Sequence, residues 1–318
     1  MTVDAAASSV PPAVTEDGIV VVDKPPGLTS HQVVARVRKL SGTRKVGHAG
    51  TLDPMATGLL VVGLNRATRL LGYLQTADKS YDATIRLGAS TSTDDAEGDV
   101  VTTADADVVA ALTPEGIEFA VAGFRGEIPQ VPSKVSAIKV DGRRAYERVR
   151  AGEEVALKAR LVTVSRYDVT DVRPAASQPG GQGDIACLDC VDVNVSVDCS
   201  SGTYIRALAR DLGTELGVGG HLTMLRRTRV GSFGMSSART LDELADRFTY
   251  TPIAEVAAAT FPRYDATAEQ ADAIRNGRQL SGLPVGERLT AMFAPDGAFL
   301  ALYERHGPVL KPAAVFVG

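Results

Sequence analysis

The chain has 318 residues, of which 44% are hydrophobic and 23% charged. That length suits one large and one small domain or two medium ones, and the hydrophobic content is ample for a core. The formal net charge of −4 argues against a protein coated in basic residues. No run approaches the ~18 apolar residues of a membrane span and no secretory signal pattern is present, so we expect a cytoplasmic protein without a membrane partner.

The charges are segregated along the sequence. Residues 92–118 hold eight acids and no base, whereas residues 134–166 hold nine Lys/Arg against four acids and residues 36–45 hold five bases and no acid. Any one of these runs could be an ordinary solvated helix or loop. Together they favour a protein with one face that meets phosphates and another that keeps it in solution.

In chain order, residues 1–16 are rich in Ala, Ser, Thr and Pro and are expected to be disordered. A strand at 19–22 and a turn containing Lys24 follow, and then a helix that Ser30 can cap. Further helices are predicted at 67–75, from Pro114, from a Thr203 cap, at 241–248 and at 269–276. Further strands are predicted at 59–63, 79–88, 161–172, 184–198, 219–231, 288–293, 298–303 and 312–317.

Three cysteines, Cys187, Cys190 and Cys199, raise the question of a metal site or a disulfide. The Cys-x-x-Cys pair stands alone, without a second pair or a nearby histidine, so zinc is weakly supported. The segment alternates as a strand does, and positions three apart on a strand point to opposite faces. We therefore expect buried thiols and no metal site.

The most informative stretch is Gly47-His48-Ala49-Gly50-Thr51-Leu52-Asp53-Pro54-Met55-Ala56-Thr57-Gly58. Glycine and proline at this density constrain a loop and leave the main chain open to a ligand. A carboxylate on such a loop, next to a core strand, is well placed for catalysis. Asp before Pro is also a common way to open a turn, so local chemistry alone leaves both interpretations open.

This stretch closely resembles the catalytic signature of the TruB family of bacterial tRNA pseudouridine synthases. A second segment matches another signature of that family at every specified position: Gly202-Thr203-Tyr204-Ile205-Arg206-x-Leu208-x-x-Asp211-Leu212-Gly213. The resemblance extends over about residues 18–245. The alternating strands and short Gly-rich turns predict an α+β fold with a mixed, largely antiparallel sheet flanked by helices, and the resemblance implies eight strands in that sheet.

The resemblance also implies a role for each of seven residues. Asp53 would be the catalytic residue, and His48 would engage the RNA loop. Tyr81 would stack on the target uracil, Leu225 would line the uracil pocket and Tyr204 would pack in it. Arg206 would pair with Asp53. Lys24 would support the active-site loop, although it could equally be a surface turn residue.

A further segment around Gln130 also resembles the family. The match to its Gln-x-Pro-Pro-x-Tyr-Ser-Ala-x-Lys pattern holds at Gln130, Pro132, Ser136, Ala137 and Lys139. Ser133 replaces the second proline and Val135 the usual aromatic residue, so no stacking role is expected at 135. In the family this region, about 125–158 here, is a thumb that clamps RNA. An arginine-rich helix is predicted from Arg143 to Ala151, after an Asp141-Gly142 turn.

The sequence therefore predicts a catalytic domain at 17–261 and a small β module at 262–318. The module resembles the PUA domains of RNA-modifying enzymes, although an extension that does not bind RNA is an open alternative.

The implied reaction is isomerisation of uridine 55 in the TψC loop of tRNA, on the T-arm stem-loop, to pseudouridine. It needs no cofactor, no metal and no evident protein partner. The alternatives are a tRNA-binding or tRNA-folding protein without catalysis, and an Asp-dependent glycosylase that releases uracil.

Overall fold

The computed structural model describes residues 13–133, 139–140, 143–144, 158–175 and 190–317. The chain forms two compact units. Unit 1 consists of residues 1–54, 58–75 and 231–318, and unit 2 of residues 55–57 and 76–230. Most of the predicted thumb and residues 176–189 lie outside the described residues.

Unit 1 begins with an antiparallel sheet. Strand β1 (Gly18–Lys24) pairs with β3 (Thr57–Leu64), with Val20 opposite Val62, and β2 (Val46–Ala49) pairs with the other side of β3. Helix α1 (Ser30–Ser41) connects β1 to β2, and a short helix α2 (Leu71–Gln75) follows β3. Strands β1 and β3 are almost continuously apolar and buried, so both faces of these two strands are covered.

Unit 2 is built on a larger antiparallel sheet. Its central strands are β4 (Lys79–Leu87), β10 (Arg160–Pro174) and β11 (Val191–Cys199), and its outer strands are β7 (Gly126–Gln130) and β12 (Gly220–Val230). The order within the unit is β12–β4–β11–β10–β7. Its remaining elements are β5 (Ala89–Thr91), β6 (Val100–Thr103), α3 (Ala106–Ala110), α4 (Pro114–Ala122), β8 (Lys139–Val140), β9 (Arg143–Arg144) and α5 (Ile205–Glu215).

Helix α5 packs closely on β12. A Cβ atom at Gly213 would collide with the backbone of Gly219 and Gly220, so only glycine permits this approach. The buried residues of α5 include Leu208 and Leu212. The helix is therefore held against β12, which matters because Arg206 lies in its first turn and Tyr204 directly precedes it.

The last part of unit 1 contains connecting elements and then the C-terminal β module. The connecting elements are β13 (Phe233–Gly234), α6 (Leu241–Asp246), β14 (Thr251–Pro252) and α7 (Ile253–Thr260). The module consists of β15 (Arg263–Asp265), α8 (Ala268–Arg275), β16 (Leu280–Ser281), β17 (Thr290–Phe293), β18 (Phe299–His306) and β19 (Val309–Val315). The five-stranded sheet has the order β15–β17–β18–β19–β16, with β15 and β17 parallel and the other pairs antiparallel. Its core includes Ile274, Met292 and Tyr303.

The C-terminal end of the chain is bonded to the segment that follows β3. Arg66 donates to the carbonyl of Phe316 at 3.1 Å, Arg69 to that of Val315 at 3.2 Å, and the Tyr73 hydroxyl to that of Ala313 at 3.0 Å. The module is therefore held to the rest of unit 1 through its last strand.

The predicted fold class, an α+β fold with a mainly antiparallel sheet and a C-terminal β module, is confirmed. None of the helices in the described part of the chain has the length and apolar character that a membrane crossing requires.

Three local predictions need correction. Part of the predicted disordered tail is bonded, because Val14 donates to the Ser41 carbonyl at 2.8 Å and Asn65 donates to the Val14 and Glu16 carbonyls. The strand β6 was not predicted, since its residues are all exposed and show no alternation. Arg143–Arg144 pair with Lys139–Val140 as a strand, so no helix begins at 143; residues 141–142 and 145–157 lie outside the described residues.

Candidate active site

The backbone is fixed on both sides of Asp53. On one side, the Ser30 hydroxyl accepts from the Leu52 N–H at 2.8 Å and donates to the Leu52 carbonyl at 3.1 Å. On the other side, the Pro54 carbonyl accepts from the Lys24 ammonium at 3.1 Å and from the Gly27 N–H at 2.9 Å. The predicted catalytic residue therefore lies on a loop whose two neighbouring residues are both held by hydrogen bonds.

Lys24 is fully buried, so the surface-turn alternative is wrong. Its ammonium donates to the carbonyls of Pro25 at 2.9 Å, Leu28 at 2.6 Å and Pro54 at 3.1 Å. A buried charge is tolerated only when it is well bonded, and here three carbonyl oxygens solvate it. Lys24 ties the turn after β1 to the Asp53 loop. A direct contact of Lys24 with substrate remains a prediction.

The cap of helix α1 is Thr29 and not Ser30. The Thr29 hydroxyl accepts from the Gln32 N–H, and the Gln32 side chain accepts from the Thr29 N–H at 2.7 Å, which completes a capping box. The prediction failed because two adjacent residues, Thr and Ser, are both good caps. The glutamine three residues after Thr29 was the signal that favours Thr29. Ser30 is thereby left to bond Leu52.

His48 lies on β2 and is half-buried. Its ring stands edge-on to that of His31 on α1, with centroids 5.4 Å apart and an interplanar angle of 85°. The insertion of His48 into an RNA loop stays a prediction. His31, which carries no signal in the sequence, is an aromatic neighbour of this ring.

Tyr81 and Leu225 lie on neighbouring strands of unit 2. Tyr81, on β4, is opposite Arg227 of β12, and Leu225 is opposite Ala83. In this register Leu225 and Arg227 share a face with Tyr81, and all three are less than 10% exposed. The two predicted uracil-binding residues are therefore brought to one face of one sheet. Arg227 was missed, because an arginine in a strand gives no signal for burial.

Tyr204 immediately precedes α5, and Arg206 is in its first turn. Thr203 does not cap this helix as predicted; its hydroxyl donates to the Ser200 carbonyl at 3.0 Å. The backbone of Tyr204 is held by Gln130 instead. The Gln130 side-chain amide accepts from the Tyr204 N–H at 2.8 Å and donates to the Tyr204 carbonyl at 3.1 Å.

Arg206 is buried against the acidic loop that follows β5. Its Nη1 atom is 3.3 Å from a carboxylate oxygen of Asp95 and donates to the Thr93 carbonyl at 2.8 Å. One helical turn later, Arg210 pairs with Asp94 at 3.3 Å. Asp95 was not predicted as a partner of Arg206, because the acidic run at 92–118 is typical of a solvated surface. The predicted pairing of Arg206 with Asp53 stays a prediction.

His221 serves the structure of unit 2. It is 1% exposed, and its Nδ1 atom is 2.9 Å from the Ala89 carbonyl, which can only accept, so Nδ1 carries the proton. Burial lowers the pKa of His221, which keeps the ring neutral. These features indicate a structural role for His221.

The prediction of buried thiols is correct for one of the two described cysteines. Cys199 is free and buried, and desolvation raises the pKa of its thiol to about 11. Cys190 is disulfide-bonded, which corrects the thiol prediction there. The strand predicted at 184–198 is observed as β11 from Val191, so Cys190 lies before the strand. Cys187 lies outside the described residues.

Models of protein families match almost the whole chain. The N-terminal domain of TruB family pseudouridylate synthases matches residues 38–205, the C-terminal domain of tRNA pseudouridylate synthase B matches residues 206–257, and the C-terminal region of tRNA pseudouridine synthase II matches residues 261–317. The chain belongs to the TruB family of pseudouridine synthases.

Individual TruB proteins are similar over nearly the full length. The tRNA pseudouridine synthase B of Thermobifida fusca is 54% identical over 306 residues, which cover 95% of this chain and 99% of the relative. That of Mycobacteroides abscessus is 55% identical over 302 residues, which cover 93% of this chain and 97% of the relative.

Two solved structures show the same fold. A Cbf5-Nop10-Gar1 complex contains a chain that is 27% identical with a TM-score of 0.69, covering 94% of this TruB chain and 85% of the other. An H/ACA RNP bound to a substrate RNA containing 2′-deoxyuridine gives 26% identity and a TM-score of 0.67, covering 95% and 85%.

Proposed function

We propose that the protein isomerises uridine 55 in the T-arm of tRNA to pseudouridine, with Asp53 as the catalytic residue on a flipped-out base. Membership of the TruB family supports the reaction class. The observation that carries the assignment of Asp53 is its loop, in which hydrogen bonds from Ser30 and Lys24 fix the residues on both sides. A carboxylate held in this way is preorganised for reaction.

In the proposed reaction the C1′–N1 bond of the uridine breaks, the uracil turns, and C1′ bonds to C5, whose proton moves to solvent while N1 gains one. No electrons are exchanged and nothing is hydrolysed, so the chemistry needs no redox cofactor or nucleotide. Asp53 attacks C1′, attacks C6, or first helps to remove a ribose proton. These three routes share an ionised Asp53 beside an unstacked base.

The other site residues would bind and orient the base. We propose that Tyr81 stacks on the uracil, that Leu225 forms the floor of its pocket, and that Tyr204 packs beside it. Arg206 would pair with Asp53 and orient it, and His48 would fill the space that the base leaves. The burial of Tyr81 and Leu225 on one face of the sheet supports their assignment to one pocket.

We propose the domain organisation on the same basis. After a tail at 1–16, residues 17–261 would form the catalytic domain, with an RNA-clamping thumb at about 125–158. Residues 262–318 would form a PUA-like RNA-binding module. The separate five-stranded sheet of residues 263–315 supports the last boundary. The protein would act in the cytoplasm, on tRNA, without an obligate protein partner.

The test is to incubate the purified protein with a T-arm stem-loop and no added cofactor, and to analyse the nucleosides. Formation of pseudouridine with no change in RNA mass is expected. Release of uracil, with the corresponding loss of mass, would instead identify a glycosylase. Binding of the stem-loop without any product would contradict the proposed catalysis.

A further inference from the structure

Ser30 lies at the start of α1, and its side chain is directed at the loop that carries Asp53. It is 1% exposed, and its hydroxyl makes two hydrogen bonds to one residue, Leu52. A serine hydroxyl has one proton to donate and two lone pairs to accept with. Here the donor and one acceptor are both used on the backbone of the residue that precedes Asp53.

The position of this hydroxyl is itself fixed. Ser30 is the first residue of α1, directly after the Thr29 cap, and the capping box between Thr29 and Gln32 holds the first helical turn. At the other flank of Asp53, the Pro54 carbonyl is held by Lys24 and Gly27. The peptide units on either side of Asp53 are therefore anchored to two separate points, the start of α1 and the turn after β1.

We propose that Ser30 is a positioning residue for the catalytic aspartate, a role that rests on the proposed function of Asp53. Without the hydroxyl, the buried N–H and carbonyl of Leu52 lose their partner, and the loop has to rearrange to satisfy them. A displacement of a reacting group by about 1 Å can cost on the order of 100-fold in rate. The proposed consequence is a loss in the chemical step and not in RNA binding.

Helix α1 supplies a matched control at its other end. Ser41 is the last residue of α1 and is also fully buried, but its hydroxyl bonds only within its own region, to the Arg38 carbonyl and the Thr43 N–H, both at 3.5 Å. Ser30→Ala and Ser41→Ala each remove one buried hydroxyl from the same helix. Only the first removes a contact with the Asp53 loop.

The experiment measures kcat, KM and the melting temperature for the parent, Ser30→Ala and Ser41→Ala with a T-arm stem-loop. We expect kcat of Ser30→Ala to fall by about 10- to 100-fold with KM within about threefold of the parent. Ser41→Ala should keep kcat within about twofold, and both variants should melt a few degrees below the parent.

Two results would overturn the role of Ser30: a parent-like kcat for Ser30→Ala, or an equal loss of kcat in Ser41→Ala. If Ser30→Ala does not fold, Ser30→Cys and Ser41→Cys form a second matched pair, because a thiol fills the place of the hydroxyl, is only slightly larger and bonds weakly. In that pair only Ser30→Cys should lose kcat. An inactive parent would instead refute the proposed function, so the two failures are distinguishable.

Discussion

Arg206 and Asp95 form an ion pair inside the protein, with 3.3 Å between Nη1 and a carboxylate oxygen and with side chains only 6% and 4% exposed. The Asp95 carboxylate also accepts from the Thr93 hydroxyl and from the Glu97 N–H at 3.1 Å. The guanidinium that we propose for the active site is thus bonded to an acidic loop more than 100 residues earlier in the chain.

Replacing Asp95 by asparagine should destabilise the protein on the order of 3 kcal/mol, because it removes the carboxylate charge that lies beside the buried Arg206 guanidinium. The adjacent Asp94→Asn is the control. Asp94 has a φ of 61°, which asparagine adopts readily, and its pair with Arg210 is more exposed, so the loss should stay below about 1 kcal/mol. Chemical denaturation measures both free energies of unfolding. Equal losses would contradict a special role for the Arg206–Asp95 pair.

The sequence predicted the fold class and proposed the site residues, whereas the contacts that hold those residues in place were missed for physical reasons. Contiguous signatures identified Asp53 and Arg206, and alternation identified the strand that carries Tyr81. The partners that hold these residues are distant in sequence and common in type: Asp95 sits in a loop without periodicity, and Ser30 resembled a helix cap. Lys24 is buried because the turn after β1 folds back onto Pro54. This contact is between residues 30 positions apart, so no local sequence pattern predicts it.

Asp53→Asn should abolish turnover and leave RNA binding within about tenfold of the parent, because the amide has the same size but is not a nucleophile. The hydrogen bonds that fix Leu52 and Pro54 involve no atom of the Asp53 side chain, so the loop should keep its backbone position. Nucleoside analysis and gel-shift binding measure the two effects. Asp82→Asn, at an exposed carboxylate on β4, should retain turnover. Pseudouridine from pure Asp53→Asn would end the assignment of Asp53.

Gln130 offers a test that depends on protonation. Its amide both accepts from and donates to the backbone of Tyr204. Gln130→Met removes both bonds and should lower kcat by about tenfold. In Gln130→Glu an ionised carboxylate faces the Tyr204 carbonyl and has no proton to donate to it. A protonated carboxyl, in contrast, can both donate and accept.

The kcat of Gln130→Glu, relative to the parent at each pH, should therefore recover as the pH falls from 8 to 5.5, because burial raises the pKa of a carboxyl. Asn194→Ala is the control, since it removes another side-chain amide of unit 2, one that accepts from the Thr84 hydroxyl at 2.8 Å. Its relative kcat should not vary with pH. A flat profile for Gln130→Glu would mean that Gln130 does not act through its hydrogen bonds to Tyr204.

Tyr81→Phe and Tyr81→Leu should fail differently. Tyr81 is 8% exposed on the face that it shares with Leu225, and stacking needs only its aromatic ring. Tyr81→Phe should keep substrate binding, so any large loss of kcat would indicate that the hydroxyl takes part in proton transfer at C5. Tyr81→Leu should also weaken binding. Stem-loop affinity and single-turnover rates separate the two effects, and equal affinities of all three proteins would argue against stacking.

Lys79 should make stability depend on pH on the alkaline side. Burial lowers the pKa of its ammonium to about 8 from the ordinary 10.5, and the neighbouring charge of Arg227 is the second cause. The ammonium donates one hydrogen bond to the Ala77 carbonyl at 2.6 Å. Between these values the unfolded chain binds more protons than the folded one, so the free energy of unfolding should rise as the pH increases from 8 to 10.5.

The expected rise from Lys79 is on the order of 1 to 3 kcal/mol. Below pH 8 the Lys79 ammonium is charged in both the folded and the unfolded chain, so the cost of burying it is constant. Lys79→Met removes the buried charge and keeps the apolar stem. This variant should therefore be no less stable than the parent at pH 7. The measurement is chemical denaturation of both proteins from pH 7 to 10, with the difference between them isolating Lys79 from other groups that titrate. That difference should shrink as the pH rises, because the parent then folds with a neutral amine. A constant difference across the range would show that the ammonium keeps an ordinary pKa in the folded protein.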